Sequence, residues 1–324
     1  MNALLSRVFL LAYLFASPAA LGGTFPDRNV TIIVTSVAGA LTDTLTRAIA
    51  QRLSETWKQS VIVENRAGAG YAIAAEFVLR AEHDGYTLLA SETGFYTTQP
   101  HLYPKDKLAY EAQRDFIPVV GYGTIPAALL VNPSVRVESV GDLVALARNK
   151  PGEVTFGTAG VGTALHIAAV ELENLTGTKM TAVHYRGAAP ALSDVIAGHI
   201  NAIIMGPSVA LSSVKAGKLK MLAFGSDKRV PQFPNVPTMA ETVPGYEASV
   251  SFGLFAAAGT PPDIVDKING DVRKIVNDME FQERYLEPFA VQSIPGPVDA
   301  FAEYLRKDSI KWGEVIKAAN VKIE

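Results

Sequence analysis

Three short loops of small residues carry the chemistry that this sequence offers. They span residues 38–43 (AGALTD), 157–166 (GTAGVGTALH) and 185–191 (YRGAAPA). Each follows an apolar, β-rich run and precedes a helical pattern, so each is predicted to join the end of a strand to the start of a helix. Small side chains let a ligand approach the backbone, and the first N–H groups of a helix favour an anion. The loops therefore indicate a carboxylate site built from neutral donors.

Each loop also has a purely structural explanation. Gly157, Gly160 and Gly162 could serve only turn geometry, since glycine is common in turns. Asp43 would stabilise its own helix through the helix dipole, yet it would repel an anion unless backbone N–H groups engage it. We therefore expect Asp43 to brace the loop. His166 suits packing or capping, and Arg186 could either pair with a carboxylate or lie in solvent.

Motifs of enzyme active sites are missing from the sequence. The stretch GTAGV at residues 157–161 has alanine where a nucleophilic serine would stand. The stretches GAGYAI and GVGTAL, at residues 68–73 and 160–165, lack the last glycine of a dinucleotide-binding loop. No two histidines lie within five residues of each other. The chain is therefore interpreted as a binding protein that is not an enzyme and has neither a cofactor nor a metal.

Strand and helix patterns alternate along the chain and must position these loops. Apolar β-rich runs occur at residues 30–34, 61–63, 87–91, 117–120, 128–131, 181–185, 202–205, 221–224 and 253–257. Apolar residues recur at every fourth position from Leu41 to Trp57 and from Ile264 to Val276, and each set predicts one apolar helix face. The alternation predicts an α/β protein with parallel sheets covered by helices on both faces.

The sequence divides most simply into two lobes, and the chain crosses between them twice. Segments near residues 121–126 and 231–253 are rich in glycine and proline and lack helical periodicity. The predicted limits are residues 23–122 plus 253–324 for lobe 1 and residues 123–252 for lobe 2. A single sheet is the rival, but it would need about ten strands in one layer, which is uncommon.

The first residues resemble an export signal. One basic residue, Arg7, precedes the apolar run of residues 8–16, and small residues follow to Gly22. We expect residues 1–22 to be a cleaved signal peptide, because an uncleaved anchor needs about 20 apolar residues. Cysteine is absent, and a net charge of −3 without a basic patch argues against nucleic acid. These features favour the periplasm of a Gram-negative bacterium.

Several stretches together resemble the Bug-type receptors of tripartite tricarboxylate transporters. They include ENRAGAG at residues 64–70, DGYTLL at 84–89, FGTAG at 156–160 and YRGAAPA at 185–191. The resemblance covers nearly all of residues 24–324. It implies a two-lobed periplasmic-binding-protein fold of the type II-like class with two hinge crossings. It also implies closure on a small carboxylate and its delivery to integral membrane transporter subunits. We expect the receptor to be a monomer.

The loops and the resemblance together predict the ligand-binding residues. They are Ser36, Ala38, Gly39, Ala40, Thr42, Asp43, Ser91, Thr93, Thr158, Ala159, Gly160, Gly162, Thr163, Arg186, Gly187, Ala188 and Gly206. Many family members carry an aspartate after the strand 202–205, where this chain has Gly206, which argues against an amino acid. The methyl groups of Ala40, Ala159 and Val161 favour a less hydrated acid, dicarboxylic or aromatic, with Phe95, Tyr96 or Phe252 near the cleft.

Two other functions remain open at this stage. The protein could sense a ligand for a signalling partner instead of a transporter. It could also be an exported enzyme whose site matches no known motif. Neither alternative has a motif in the sequence that favours it over transport.

Overall fold

The computed structural model describes residues 25–104, 107–161, 163–318 and 321. The expected signal peptide, residues 1–22, and Gly162 lie outside the described residues. Within the described part of the chain, ten strands form two five-stranded sheets.

The first sheet has the order β2-β1-β3-β10-β4. Its strands are β1 (Val30–Val34), β2 (Val61–Asn65), β3 (Thr87–Glu92), β4 (Phe116–Pro126) and β10 (Ser249–Ala257). The second sheet has the order β7-β6-β8-β5-β9. Its strands are β5 (Ala128–Val131), β6 (Thr155–Thr158), β7 (Thr181–His184), β8 (Ala202–Met205) and β9 (Lys220–Phe224).

Helices connect most of these strands. They are α1 (Leu41–Trp57), α2 (Ala72–Arg80), α3 (Gly94–Thr97), α4 (Gln99–Leu102), α5 (Ala112–Asp115), α6 (Val140–Asn149), α7 (Ala164–Thr176), α8 (Ala188–Ala197), α9 (Pro207–Lys215), α10 (Pro262–Val276), α11 (Met279–Phe281) and α12 (Val298–Ala318). The predicted apolar faces are confirmed: Leu45, Ile49 and Leu53 of α1 pack in one core with Ile268 and Val272 of α10. Two α/β sheets and their helices make the two-lobed architecture that the sequence predicted.

Both sheets are mixed, so the prediction of wholly parallel sheets is wrong. Strand β10 runs antiparallel to β3 and β4, and β5 runs antiparallel to β8 and β9. Parallel neighbours need a crossover connection, usually a helix. The chain instead passes from β4 into β5 through one residue, Ala127, and it enters β10 from the second sheet without a crossover helix.

The two chain crossings are joined by a small ring of backbone hydrogen bonds. Ala127 N donates to Ala248 O at 3.0 Å, Ala248 N donates to Gly225 O at 2.7 Å, and Gly225 N donates to Ala127 O at 2.7 Å. The β4–β10 ladder reaches this ring through the pair Ser249 and Pro126. Residues 123–126 and 249–252, which the sequence assigned to lobe 2, therefore pair in the first sheet.

Gly225 gives a test of this ring. A Cβ atom on Gly225 would lie 2.4 Å from Ala248 O, and a backbone carbonyl cannot move aside as a flexible side chain can. We expect Gly225→Ala to lower the free energy of unfolding by about 1–3 kcal/mol in urea denaturation.

The matched control is Gly270→Ala. Gly270 lies within α10, and its Cβ would meet no atom within 4 Å. That variant should raise stability by up to about 1 kcal/mol, because alanine is a better helix former than glycine. Equal stability of the two variants would contradict a tightly packed ring at the crossings.

Candidate functional site

A cleft of about 530 Å³ lies between the two sheets. Its first wall includes Leu41, Tyr71, Glu92, Thr93, Gly94, Thr97, Thr98, Gln99, Tyr103, Asp308 and Trp312. Its second wall includes Ala159, Val161, Thr163, Ala164, Ala168, Ala188, Met205, Gly206, Ser208 and Val209. The crossings form the floor, with Ile125, Ala127 and Ala248 among the lining residues.

Four helices of eight or more residues bring their N-termini to this cleft. Leu41 begins α1, Ala164 begins α7, Ala188 begins α8, and Gly206 immediately precedes α9. The first N–H groups of a helix have no carbonyl partner within the helix, and the dipole gives that end a partial positive charge. The cleft therefore collects neutral donors.

Three of these helices lack a capping side chain. Among the described residues, no side chain caps α1 at Ala40, α8 at Gly187 or α9 at Gly206. Elsewhere Ser139 caps α6 and Asp278 caps α11, whereas α2 and α10 also lack a capping side chain. At α7 the hydroxyl of Thr163 accepts from His166 N at a long 3.4 Å. An uncapped helix N-terminus leaves its donors for a ligand or water.

The loop between β1 and α1 is held by Asp43, as expected. The Asp43 carboxylate is buried and accepts from Gly39 N at 2.9 Å, Arg47 Nε at 2.9 Å and Asn65 Nδ2 at 2.8 Å. Burial alone would raise the pKa of Asp43, but these hydrogen bonds outweigh it and the pKa is lowered. The Gly39 N–H is consequently used within the loop.

The other predicted residues of this loop do not line the cleft. Ala38 and Gly39 are exposed, Ser36 and Ala40 are half-buried, and Thr42 is buried. Leu41 lines the cleft in place of Ala40. The Ser36 hydroxyl is enclosed and has no hydrogen-bond partner among the described residues. Ala40 therefore lies at the start of α1 without lining the cleft.

The loop between β6 and α7 presents a second set of small residues. Ala159, Val161 and Thr163 line the cleft. Thr158 is buried below them, where its hydroxyl lies 2.7 Å from His184 Nδ1 and receives Gly160 N at 3.2 Å. Gly160 has a φ of +135°, a backbone conformation that residues other than glycine rarely adopt. Thr158 and Gly160 therefore shape the loop that their neighbours present.

The buried His166 faces a second imidazole, that of the exposed His184. The rings of His166 and His184 lie 4.9 Å apart and perpendicular to each other. Burial and the neighbouring His184 lower the pKa of His166 to about 4. His166 is therefore neutral at physiological pH and adds no positive charge to the cleft.

The remaining predicted residues separate into lining and supporting positions. Thr93, Ala188 and Gly206 line the cleft. Ser91 is fully buried, where its hydroxyl pairs with that of Thr35 at 3.0 Å. Gly187 precedes α8 with a φ of +115°. Arg186 is exposed and does not line the cleft.

Several lining residues were not predicted from the sequence. Tyr71, Glu92, Met205, Ser208, Asp308 and Trp312 all reach the cleft. Asp308 and Trp312 belong to α12, more than 200 residues along the chain from β3, and carry no local signal. Phe252 lines the cleft as expected, whereas Phe95 is fully buried in an aromatic core and Tyr96 packs against it.

Glu92 and Asp308 are the charged side chains among the described residues that line the cleft. Burial raises the pKa of Glu92, although a hydrogen bond from Tyr71 opposes the rise. Burial also raises the pKa of Asp308 to about 6 against hydrogen bonds from Thr97 and Trp312. No lysine or arginine lines the described part of the cleft, and no cluster of metal ligands was found in the described residues.

Comparison with known proteins identifies the family. The family model described as "Tripartite tricarboxylate transporter family receptor" matches residues 45–321. The chain belongs to this family. Its members are periplasmic solute-binding receptors, so the Bug-type resemblance is confirmed. The receptor is 30% identical to "Protein BugT" of Bordetella pertussis over 98% of this chain and 97% of that protein.

Solved structures of related receptors share the fold. The structure of "R. palustris Rpa4515 with adipate" is 32% identical, with a TM-score of 0.81 over 92% of this chain and all of that one. The structure of "MatC (Rpa3494) from Rhodopseudomonas palustris with bound malate" is 28% identical, with a TM-score of 0.75 over 90% of this chain and all of that one. None of the described helices is long and apolar enough to cross a bilayer.

Asp43 gives a stability prediction with a defined pH dependence. In Asp43→Asn the amide nitrogen replaces one acceptor oxygen, so a buried donor of the loop loses its partner. Urea unfolding at pH 7 should show a loss of about 1–3 kcal/mol.

The pH dependence follows from the lowered pKa of Asp43. Its stabilisation is fully present above the unfolded-state pKa of about 3.9 and is lost as pH falls through the lower folded-state pKa. The difference between wild type and Asp43→Asn should therefore shrink in acid. Glu283→Gln, at an exposed position without an ion pair among the described residues, should show no such difference. A constant difference from pH 7 to pH 3 would contradict the role of the ionised carboxylate.

Proposed function

We propose that this receptor captures a small carboxylate in the cleft between its lobes. The observation that carries the proposal is the convergence of four helix N-termini on a cleft whose described lining holds no cationic side chain. Several neutral hydrogen bonds, each contributing roughly 0.5–1.5 kcal/mol net, together with burial, are sufficient for micromolar affinity of about 8 kcal/mol. The adipate and malate bound by related receptors support a carboxylate.

Part of the cleft lining is apolar, which supports an acid with an apolar body. Ile125, Met205, Val250 and Phe252 line it together with Trp312. Burying such surface contributes about 25 cal/mol per Å² of apolar area removed from water. The ligand class we propose is thus a carboxylate on a hydrocarbon or aromatic frame.

Ligand capture would proceed by closure of two lobes about the crossings. We place lobe 1 at residues up to 126 and from 249 onward, and lobe 2 between them, because the strand ladders change sheet there. Val161 and Val209, on the lobe 2 wall, are 45% and 59% exposed. Closure over a ligand would bury these side chains and exclude water from the carboxylate.

A contact between the lobes already exists beside the cleft. Lys311 on α12 lies 3.1 Å from Glu171 on α7, and Trp312 packs with Ile167 of α7. Helix α12 follows the second crossing, so this contact joins lobe 1 to lobe 2. The lobes would stay in contact on this side of the cleft while the other side opens and closes.

The receptor would act in the periplasm and pass its ligand to membrane transporter subunits. This step is supported by the family to which the chain belongs. We propose that the mature chain acts as a monomer after removal of residues 1–22.

Ala188 tests the anion site without disturbing the fold. Ala188→Asp places a carboxylate at the start of α8, where the dipole stabilises it by about 0.3–1 kcal/mol but where it would repel a bound anion. Calorimetry should show at least a 100-fold loss of carboxylate affinity. The control Ala188→Asn has nearly the same shape without the charge and should lose far less. Equal loss in both variants would show that size, and not charge, matters at this position.

A further inference from the structure

The lobe 1 wall of the cleft carries two acidic side chains and one helix start, that of α1, whereas the lobe 2 wall carries the other three helix starts. Glu92 ends β3 and Asp308 lies on α12, and both line the cleft. Lobe 2 contributes the starts of α7, α8 and α9. Both acidic side chains of the described lining thus lie on lobe 1, and most of the helix N-termini lie on lobe 2.

Asp308 has donors from the protein itself. Thr97 and Trp312 both hydrogen-bond to it, and Lys311 lies near enough to favour its charge. These groups occupy acceptor sites of the carboxylate, which has about four in all. We therefore assign Asp308 to the structure of the wall.

Glu92 is less completely satisfied. Tyr71 is the one hydrogen-bond donor that the described residues show for it, so the carboxylate retains acceptor sites toward the cleft. Glu92 as a whole is half-buried. A group that retains acceptor capacity in a binding cavity is suited to receive a donor from the ligand.

The backbone beside Glu92 is built to hold Tyr71 against it. Ala69, Gly70 and Tyr71 have φ values of +47°, +57° and +75°. Left-handed conformations at two residues other than glycine are unfavourable and persist only where the surroundings impose them. This unusual turn brings the Tyr71 ring to the cleft, where its hydroxyl oxygen lies 3.6 Å from the position of a Cβ on Gly94.

A second carboxylate on the ligand would lie beside the acidic side chains of lobe 1. If one carboxylate occupies the helix N-termini of lobe 2, the far end of the ligand faces Glu92 and Asp308. Two carboxylates in one low-dielectric site disfavour each other's charge. A hydroxyl, amide N–H or ammonium group at that end would instead donate to Glu92.

We propose that Glu92 is a specificity-determining residue that accepts a hydrogen bond from the ligand, so that the receptor selects acids with a donor group at the end opposite their carboxylate. The ligand class is thus a hydroxy, amide or amino acid with an apolar frame. This inference rests on the proposed carboxylate site. It revises the expectation of a dicarboxylate and removes the argument against amino acids, because Glu92 supplies the acid that the position of Gly206 lacks.

Matched ligand series would test the inference by calorimetry on the mature protein. The first series is hexanoate, adipate, 6-hydroxyhexanoate and 6-aminohexanoate. The second is benzoate, terephthalate, 4-hydroxybenzoate and 4-aminobenzoate. In the series that binds more tightly, an acid with a donor group should bind at least tenfold more tightly than the diacid and the unsubstituted acid. A diacid that binds most tightly would overturn the inference while leaving the carboxylate site intact.

Variants of Glu92 complete the test. In Glu92→Ala the preference for the donor-bearing acid over the unsubstituted acid should fall to about one. Glu92→Gln distinguishes the donors, since its amide oxygen still accepts from a hydroxyl but no longer pairs with an ammonium charge. The control Glu82→Ala, at an exposed carboxylate outside the cleft lining, should retain the preference.

A donor preference that persists in Glu92→Ala would overturn the role of Glu92. Thermal unfolding of each variant verifies that the fold is kept. If no acid in either series binds, the proposed carboxylate site fails and this inference fails with it.

Discussion

Unsatisfied N–H groups at the helix N-termini are the constraint on which the rest of the site depends. A buried donor without a partner costs about 1–3 kcal/mol, so four helix starts facing one cavity are tolerable only if water or a ligand supplies acceptors. The chain keeps this arrangement by omitting capping side chains at Ala40, Gly187 and Gly206. A carboxylate satisfies several of these donors at once, which links the folding of the strand-to-helix loops to the capture of an anion.

The crossings determine where these helix starts meet. Ala127, Gly225 and Ala248 close a ring of backbone hydrogen bonds that joins the ends of both sheets. Because β5 and β10 enter their sheets directly across this ring, each runs antiparallel to its neighbours. The loops after β1 and β3 consequently face those after β6, β7 and β8 across the cleft.

The sequence predicted the elements whose signals are local. The apolar faces of α1 and α10 and the three small-residue loops follow from spacing and composition alone. The predicted strand ends at Val120, because Gly121 and Gly123 resemble turn residues, whereas β4 continues to Pro126. In the structure these glycines make room for packing: a Cβ at Gly121 would lie 2.9 Å from Phe301, and one at Gly123 would lie 2.6 Å from Val291.

Asp308 and Trp312 reach the cleft only through the tertiary fold, so no local pattern could indicate them. Glu92 follows a predicted strand, but its acceptor role depends on Tyr71 and on the opposite wall.

The most direct test of the account is a crystal structure of the mature protein with the acid that copurifies with it. The account predicts that the ligand carboxylate accepts N–H groups at the starts of α7, α8 or α9 at about 2.7–3.2 Å, with the other end of the ligand toward Glu92. A carboxylate paired with Arg186 outside the cleft, or one turned toward Glu92 and away from the helix starts, would contradict it.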